Sequence, residues 1–265
     1  MVDGETHDAR HDVTLADVDR WVDGAFEHPY VLGTSAAEFV KCYLDMGAAQ
    51  GAEICVVMSS RKIIQSYDAA CSAARTLAGK MHASSVAVVD TTMTDLGLGL
   101  PVLVAAQAAA AGLSLPEVVA ATEAMARAGR FVFVPRTLDN LVRGGRASFL
   151  RSWLANVLGV RPLLSFVDGE ATLVGKCSTS ADPAQVLADW LTKQLPPSGP
   201  VWIGIGHGGA PEDAARLDAL LRERYRVELA IVREISPTVY LHAGPRSLAA
   251  VVFPLGDLPW RPPSP

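Results

Sequence analysis

The chain has 265 residues, half of them hydrophobic and 19% charged, enough core for two domains of about 100–200 residues each. A net charge of −5 without any Lys/Arg run excludes the electrostatic footprint of a nucleic-acid binder or of a patch for anionic lipid surfaces. The four Cys, at 42, 55, 71 and 177, form no C-x-x-C and no metal-ligand spacing. No metal site is expected, and free thiols in apolar or helical settings point to a reducing, cytoplasmic compartment. The acidic, polar start does not read as a signal peptide. Leu96–Leu115 is as long as a membrane span, but Gly97, Gly99, Pro101, Gln107, Gly112 and Ser114 interrupt it. It reads as a buried helix, so no integral membrane segment is expected.

In chain order, residues 1–12 are polar and read as loosely held. Thr14 caps a helix, with Asp17 at the capping-box position. Pro29–Gly33 ends that unit, and Thr34-Ser35 caps a second helix over Ala36–Met46. Glu53–Met58 is a buried strand with Ser59-Ser60 at its end, followed by a helix over about Ile64–Gly79. Ser85–Val89 is the next strand, ended by Asp90-Thr91-Thr92. A long helix from about Asp95 and another over Pro116–Ala128 follow. Strands alternating with helices predict βαβ units and a parallel sheet.

After Gly129 the pattern changes. Arg130–Val134 is a strand, Thr137–Val142 a short helix running into Gly144-Gly145, and Phe149–Leu158 a helix. Arg161–Phe166 and Ala171–Lys176 make a hairpin turning at Asp168-Gly169. Asp182–Gln194 and Glu212–Tyr225 are helices, and Val201–Gly206, Val227–Val232 and Ala249–Phe253 are strands. Ile235–Leu241 reads as an irregular apolar segment, with His242-Ala-Gly-Pro245 as a turn. The Pro-rich tail after Pro259 reads as disordered. The division expected is 1–129 and 130–265, the first a parallel α/β sheet domain and the second a mixed α/β domain.

Several groups carry possible chemistry. The hydroxyls of Thr34-Ser35 and Ser59-Ser60 stand at helix starts, where unpaired amides and the helix dipole favour an anion, although simple capping places the same residues there. The Ser59 pair also follows a strand's carboxyl end, where open α/β sheets bind ligands. Gly204-Ile-Gly206-His-Gly208-Gly209 matches G-x-G-x-x-G by letter, either a dinucleotide site or a glycine-rich turn. Arg143-Gly-Gly-Arg146 offers two guanidinium groups for a phosphate or carboxylate. His242 stands at the rim of an apolar segment, either an imidazole hydrogen-bonded within its own turn or a group that suits an anionic head with an apolar tail. Signatures of hydrolases, zinc peptidases and P-loop enzymes are missing, so no catalytic residue is nominated.

Taken together, these pieces resemble the DegV family of fatty-acid-binding proteins, from about residue 3 to residue 253. Gly33-Thr34-Ser35 with Glu38-Phe39 is similar to the family's T-S-Q-P-S…E-F segment, and Val57-Met-Ser59-Ser60 with Tyr67 to its strand-end Ser pair. Val88-Val-Asp90…Leu96-Gly-Leu-Gly99 resembles V-I-D…G-L-G, and Thr137-Leu138…Leu141-Val-Arg143-Gly-Gly-Arg146 resembles T-L-x-x-L-x-R-G-G-R. Val160-Arg-Pro-Leu163 with Asp168-Gly-Glu170 is similar to K-P-I-L…D-G, and Ile235…His242-Ala-Gly244-Pro245 to G-x-H-x-G-P. The resemblance implies a two-domain α/β fold that buries one long-chain fatty acid as ligand, with no other cofactor. It implies carboxylate contacts from Thr34, from Ser59 or Ser60, and from His242, with Arg61 and Thr91 as further candidates. It also implies a fatty acid kinase as partner, with Arg143 or Arg146 in the exchange.

Two departures stand out. Where the family has S-S-G-L-S-G-T-Y, this chain has Ser59-Ser-Arg61-Lys62-Ile-Ile-Gln-Ser66-Tyr67, which leaves open which Ser meets the carboxylate and whether Arg61 or Lys62 pairs with it instead. The usual first strand-helix unit ending in D-S-T is also absent from the start, which predicts a truncated start or a first sheet with an exposed edge. The expectation is a non-catalytic fatty-acid carrier. The rivals are a dinucleotide-dependent oxidoreductase using Gly204–Gly209 and a DegV-like interaction protein without lipid.

Overall fold

A computed structural model describes residues 1–79, 85–135, 138–145 and 159–263. The expected helix over 149–158, together with Thr137 and Arg146, lies outside the described residues. The chain forms two compact units, and they interleave in sequence. One comprises Met1–Leu32, Arg130–Val167 and Ala171–Val252, and the other Gly33–Gly129, Asp168–Glu170 and Phe253–Pro265. The change expected at residue 129 is one of several crossings between them.

The Gly33–Gly129 unit is built on a pair of parallel strands, β1 (Glu53–Met58) and β2 (Ser85–Asp90), in register from Glu53↔Ser85 to Met58↔Asp90. Successive side chains of a strand point to opposite faces, and both faces here are covered. Ile54, Val56 and Val86 pack with Tyr43, Ala73 and Leu77 of helices α2 (Ala36–Asp45) and α3 (Ser66–Ala78). Cys55 and Val57 pack with Ala105, Ala108 and Val118 of α4 (Leu96–Ala110) and α5 (Leu115–Ala128). A sheet buried on both sides needs uninterrupted apolar strands, and Glu53–Met58 reads that way after its first residue. Leu96–Leu115 is a helix broken at Gly112, whose φ of 84° turns the chain into α5. Among the described residues no helix is long and apolar enough to cross a membrane. In the Pro-rich tail, Trp260 packs on the Ala105–Val118 cluster and Pro262 is buried.

The other unit carries a six-stranded mixed sheet, in the order β5-β4-β3-β8-β6-β7. Its strands are β3 (Arg130–Val134), β4 (Val160–Val167), β5 (Glu170–Ser178), β6 (Pro200–His207), β7 (Arg226–Glu234) and β8 (Leu248–Pro254). Strand β3 runs antiparallel to β4 and β8, and β6 parallel to β7. Helices α7 (Pro183–Gln194) and α8 (Pro211–Arg224) bury Leu187, Leu191, Leu217 and Leu221 against Val132, Ile203 and Ile205. Between β3 and β4 lies the short α6 (Asp139–Arg143).

Two expectations for this unit change. Residues 1–12 are tied down: the Met1 ammonium donates to the Tyr30 carbonyl at 3.0 Å, and the Asp3 carboxylate accepts from the Phe26 and Glu27 amides. The segment before His242 is a helix, α9 (Pro237–Ala243), and not an irregular stretch followed by a turn. Ser236 caps it by accepting from the Val239 amide, Pro237 supplies the preset φ of a first turn, and Gly244 leaves it at φ 75°.

Helix α1 (Leu15–Gly24) starts from a complete Thr14–Asp17 capping box and packs Val18 against Ile235, Tyr240 and Leu241. The Tyr240 hydroxyl donates to the Asp19 carboxylate, 2.9 and 3.0 Å from its two oxygens. Burial, and then Asp19, push the Tyr240 phenol well above the usual tyrosine range. Tyr240→Phe should therefore cost about 1–2 kcal/mol in denaturant titrations at neutral pH. A raised folded-state pKa stabilises below the unfolded value of about 10 and loses that effect as pH rises beyond it. The wild type should thus lose its advantage over the variant above about pH 10.

Candidate functional site

The register Met58↔Asp90 brings the residues that follow the two parallel strands together at one edge of the sheet. After β1 come Ser59 and Ser60, and after β2 come Thr91 to Asp95. The two serines differ. Ser60 is fully buried, its hydroxyl donates to the Gly169 carbonyl at 2.6 Å, and the same oxygen accepts the Lys62 amide at 3.2 Å. Its own amide donates to the Met93 carbonyl, and its carbonyl accepts from Ile63 and Ile64. Ser59 is half-buried, and its hydroxyl has no partner among the described residues.

Thr91 is also fully buried, and its hydroxyl proton goes to the Met58 carbonyl at 2.9 Å, which ties the two strand ends together. The loop beyond it is strained, with φ of 57° at Thr92 and 51° at Asp95. Non-glycine residues in that region concentrate at ligand sites and switches. Asp90 is held by the Thr92 amide, which donates to one of its carboxylate oxygens at 2.8 Å.

Thr34 lies on the segment that rests on the loop after Ser60. Its amide donates to the buried Ser66 hydroxyl at 2.9 Å. Gly33 permits this approach, since a Cβ there would lie 2.9 Å from the same oxygen. Ser35 is committed to capping α2, with Glu38 closing the box. Its hydrogen bonds hold the Glu38 carboxyl below its usual range. The Thr34 side chain is exposed, with no partner for its hydroxyl among the described residues. The hydroxyls of Thr34 and Ser59 are therefore available to a ligand, whereas that of Ser35 is engaged by the Glu38 amide and carboxylate and those of Ser60 and Thr91 serve the backbone.

His242 and Arg143 belong to the other unit. His242 sits in the last turn of α9, half-buried. Gly144, which follows α6, makes room for it: a Cβ on Gly144 would lie 2.3 Å from His242 Nδ1. Arg143 is exposed in the last turn of α6. The sequence reading passed over His28, whose two ring nitrogens are buried without hydrogen-bond partners among the described residues. Burial, and then the Arg143 charge, lower its pKa. Nothing in the pattern around His28 announces this, because it depends on chain more than a hundred residues away.

The G-x-G-x-x-G match does not make a dinucleotide cradle. Gly204 and Gly206 lie inside β6, paired with Ile231 and Arg233 of β7. The Gly208 amide donates to the Ser247 carbonyl and the Ala210 amide to His207 Nδ1, while Pro211 has no N–H. A side chain on Gly208 would meet the Gly244 carbonyl at 2.7 Å. These glycines let two loops pack closely, and the Gly208 and Ala210 amides, which a pyrophosphate would need, are already used. Among the described residues, no group of three His, Cys, Asp or Glu could hold a metal. All four Cys are free, Cys42 exposed and the others half-buried.

The profile of the DegV family, described as uncharacterised proteins, matches residues 1–255. The chain belongs to the DegV family. A DegV domain-containing protein of Mycobacterium tuberculosis is 36% identical over 170 residues, 63% of this chain and 60% of that relative's own length. This chain thus spans less than two thirds of the curated relatives it resembles in this way. A fatty-acid-binding DegV protein of Thermus thermophilus superposes with a TM-score of 0.83 at 24% identity, covering 92% of this chain and 86% of its own. The fatty acid kinase B3 protein of Streptococcus pneumoniae, loaded with linoleic acid, gives 0.80 at 19% identity, covering 92% and 84%. At these identities the solved structures establish the shared DegV-like α/β fold.

The contrast between the serines is measurable without any ligand. Ser60→Ala leaves the buried Gly169 carbonyl unpaired and should cost about 1–3 kcal/mol in chemical denaturation. Ser59→Ala should change stability by less than about 0.5 kcal/mol.

Proposed function

We propose that this DegV-family chain is a non-catalytic, cytoplasmic carrier that binds one long-chain fatty acid. The observation that carries the reading is the uncommitted hydroxyls of Ser59, just after the end of β1, and of Thr34, whose amide is held by Ser66 at the start of α3, in a fold shared with fatty-acid-binding proteins. The site residues are assigned on chemistry. Thr34 and Ser59 donate to the carboxylate, and Ser60 holds the loop that presents Ser59. Thr91 serves that edge in the same supporting way. No cofactor or metal is part of the reading.

The energetics suit a carrier. Burying some fourteen methylenes at about 0.8 kcal/mol each is worth roughly 11 kcal/mol before binding losses. Hydroxyl hydrogen bonds to a charged head group add only about 1.5–3 kcal/mol each. The tail therefore supplies most of the affinity, and the hydroxyls choose the acid group and its position. The chemistry that follows belongs to a partner. A fatty acid kinase would phosphorylate the presented carboxylate, with Arg143 and Arg146 as the guanidinium groups for the phosphoryl exchange. The fatty acid kinase B3 protein of Streptococcus pneumoniae, a structural neighbour loaded with linoleic acid, supports a kinase as the partner.

Equilibrium binding of oleate by displacement of a fluorescent fatty acid tests the reading. The wild type should bind stoichiometrically, and Thr34→Ala and Ser59→Ala should each weaken binding about ten- to a hundredfold while keeping one site per chain. No saturable binding by a folded wild type would overturn it. So would unchanged affinity in the Thr34→Ala, Ser59→Ala double variant, as far as these head-group assignments go.

A further inference from the structure

The loop after Ser60 places a guanidinium at the same edge as the uncommitted Ser59 hydroxyl. Arg61 Nε stands 3.7 Å from Asp90 Oδ2, too far for a hydrogen bond. Its guanidinium carbon lies 5.9 Å over the Tyr67 ring, within range of a cation–π contact. Arg61 makes no hydrogen bond to any described residue, and its side chain is 61% exposed. All five donors of a planar fork shaped for carboxylates are thus unused. Asp90 is the more firmly held member of the pair, its side chain only 18% exposed and its other oxygen bonded to the Thr92 amide. Lys62, the next residue, is paired instead with Glu170 at 3.3 Å. Of these two adjacent cations, Lys62 braces the turn at Gly169 and Arg61 faces the strand ends.

We propose that Arg61 is the head-group cation of this chain, and that Asp90 is its resident counter-ion, exchanged for the carboxylate of the incoming fatty acid. The inference rests on the carrier reading and goes further, assigning the charge recognition and naming what competes with the ligand. The Tyr67 ring and the Asp90 charge keep the guanidinium at the edge of the sheet while the site is empty. An incoming carboxylate offers it the bidentate hydrogen bonds that Asp90 does not make. The site then selects acids over neutral lipids of the same length, because an alcohol leaves the Arg61–Asp90 pair undisturbed and gains nothing from it. Asp90 sets the affinity from the other side: as a competing anion it weakens the hold on the acid and eases release to whatever receives it.

The test compares oleate with oleyl alcohol, which share the tail and differ in the charge. In wild type, Arg61→Ala, Arg61→Lys and Asp90→Asn, affinities for both are measured by displacement of one fluorescent probe. Arg61→Ala should weaken oleate about tenfold or more and leave the alcohol within about twofold. Arg61→Lys should recover part of the loss, since the charge returns without the fork. Asp90→Asn should tighten oleate several-fold without changing the alcohol. Oleate binding that Arg61→Ala leaves unchanged overturns this inference alone, as do equal losses for both ligands or weaker oleate binding by Asp90→Asn. A folded wild type that binds neither ligand overturns the carrier reading and this inference with it.

Discussion

One hydrogen bond organises the edge on which the functional account rests. The Ser60 hydroxyl donates to the carbonyl of Gly169, 109 residues away in sequence, and the exchange buries both groups. Gly169 has φ of 84°, and a Cβ there would lie 2.6 Å from the Ser60 oxygen. Serine and glycine are therefore required as a pair, one for its proton and the other for its missing side chain. With Ser60 fixed, the chain leaves β1 along a single path. Ser59 then stands half-buried beside the end of β2, and Arg61 and Lys62 are directed to Asp90 and Glu170. A loop carrying two adjacent cations would otherwise be well solvated and poorly defined.

The second constraint is the pairing of parallel strands that both end at the same level. Thr91 locks it by returning its hydroxyl and amide to the Met58 carbonyl. The strain at Thr92 and Asp95 follows from turning a buried strand into a buried helix within five residues. Asp90 benefits from that turn, because the Thr92 amide is aimed back at its carboxylate. Packing, strain and charge thus converge on one small group of side chains, each held by a neighbour that does not itself touch a ligand in this account.

Much of the fold was legible in the sequence, and the failures have physical causes. The capped helices at Thr14 and Ser35 and the short β-branched strands carry their signals within a few residues. Helix α9 was missed because apolar positions over Ile235–Leu241 show no 3.6-residue contrast, although Ser236-Pro237 and Gly244 were its start and stop signals. Gly204 and Gly206 matched a nucleotide motif by letter, yet they lie in the interior of a strand. At the site, the candidate residue types were readable and their commitments were not. Whether Ser59 or Ser60 is available depends on a distant carbonyl, and no local pattern contains that.

Native mass spectrometry of the purified chain, before and after denaturing extraction, tests the central claim most directly. The account predicts a stoichiometric extra mass on the folded protein that extracts as a single long-chain fatty acid, or that appears on adding one. A folded chain that stays at its apo mass in the presence of excess fatty acid would contradict it, and would leave a DegV-like protein acting through contacts other than lipid.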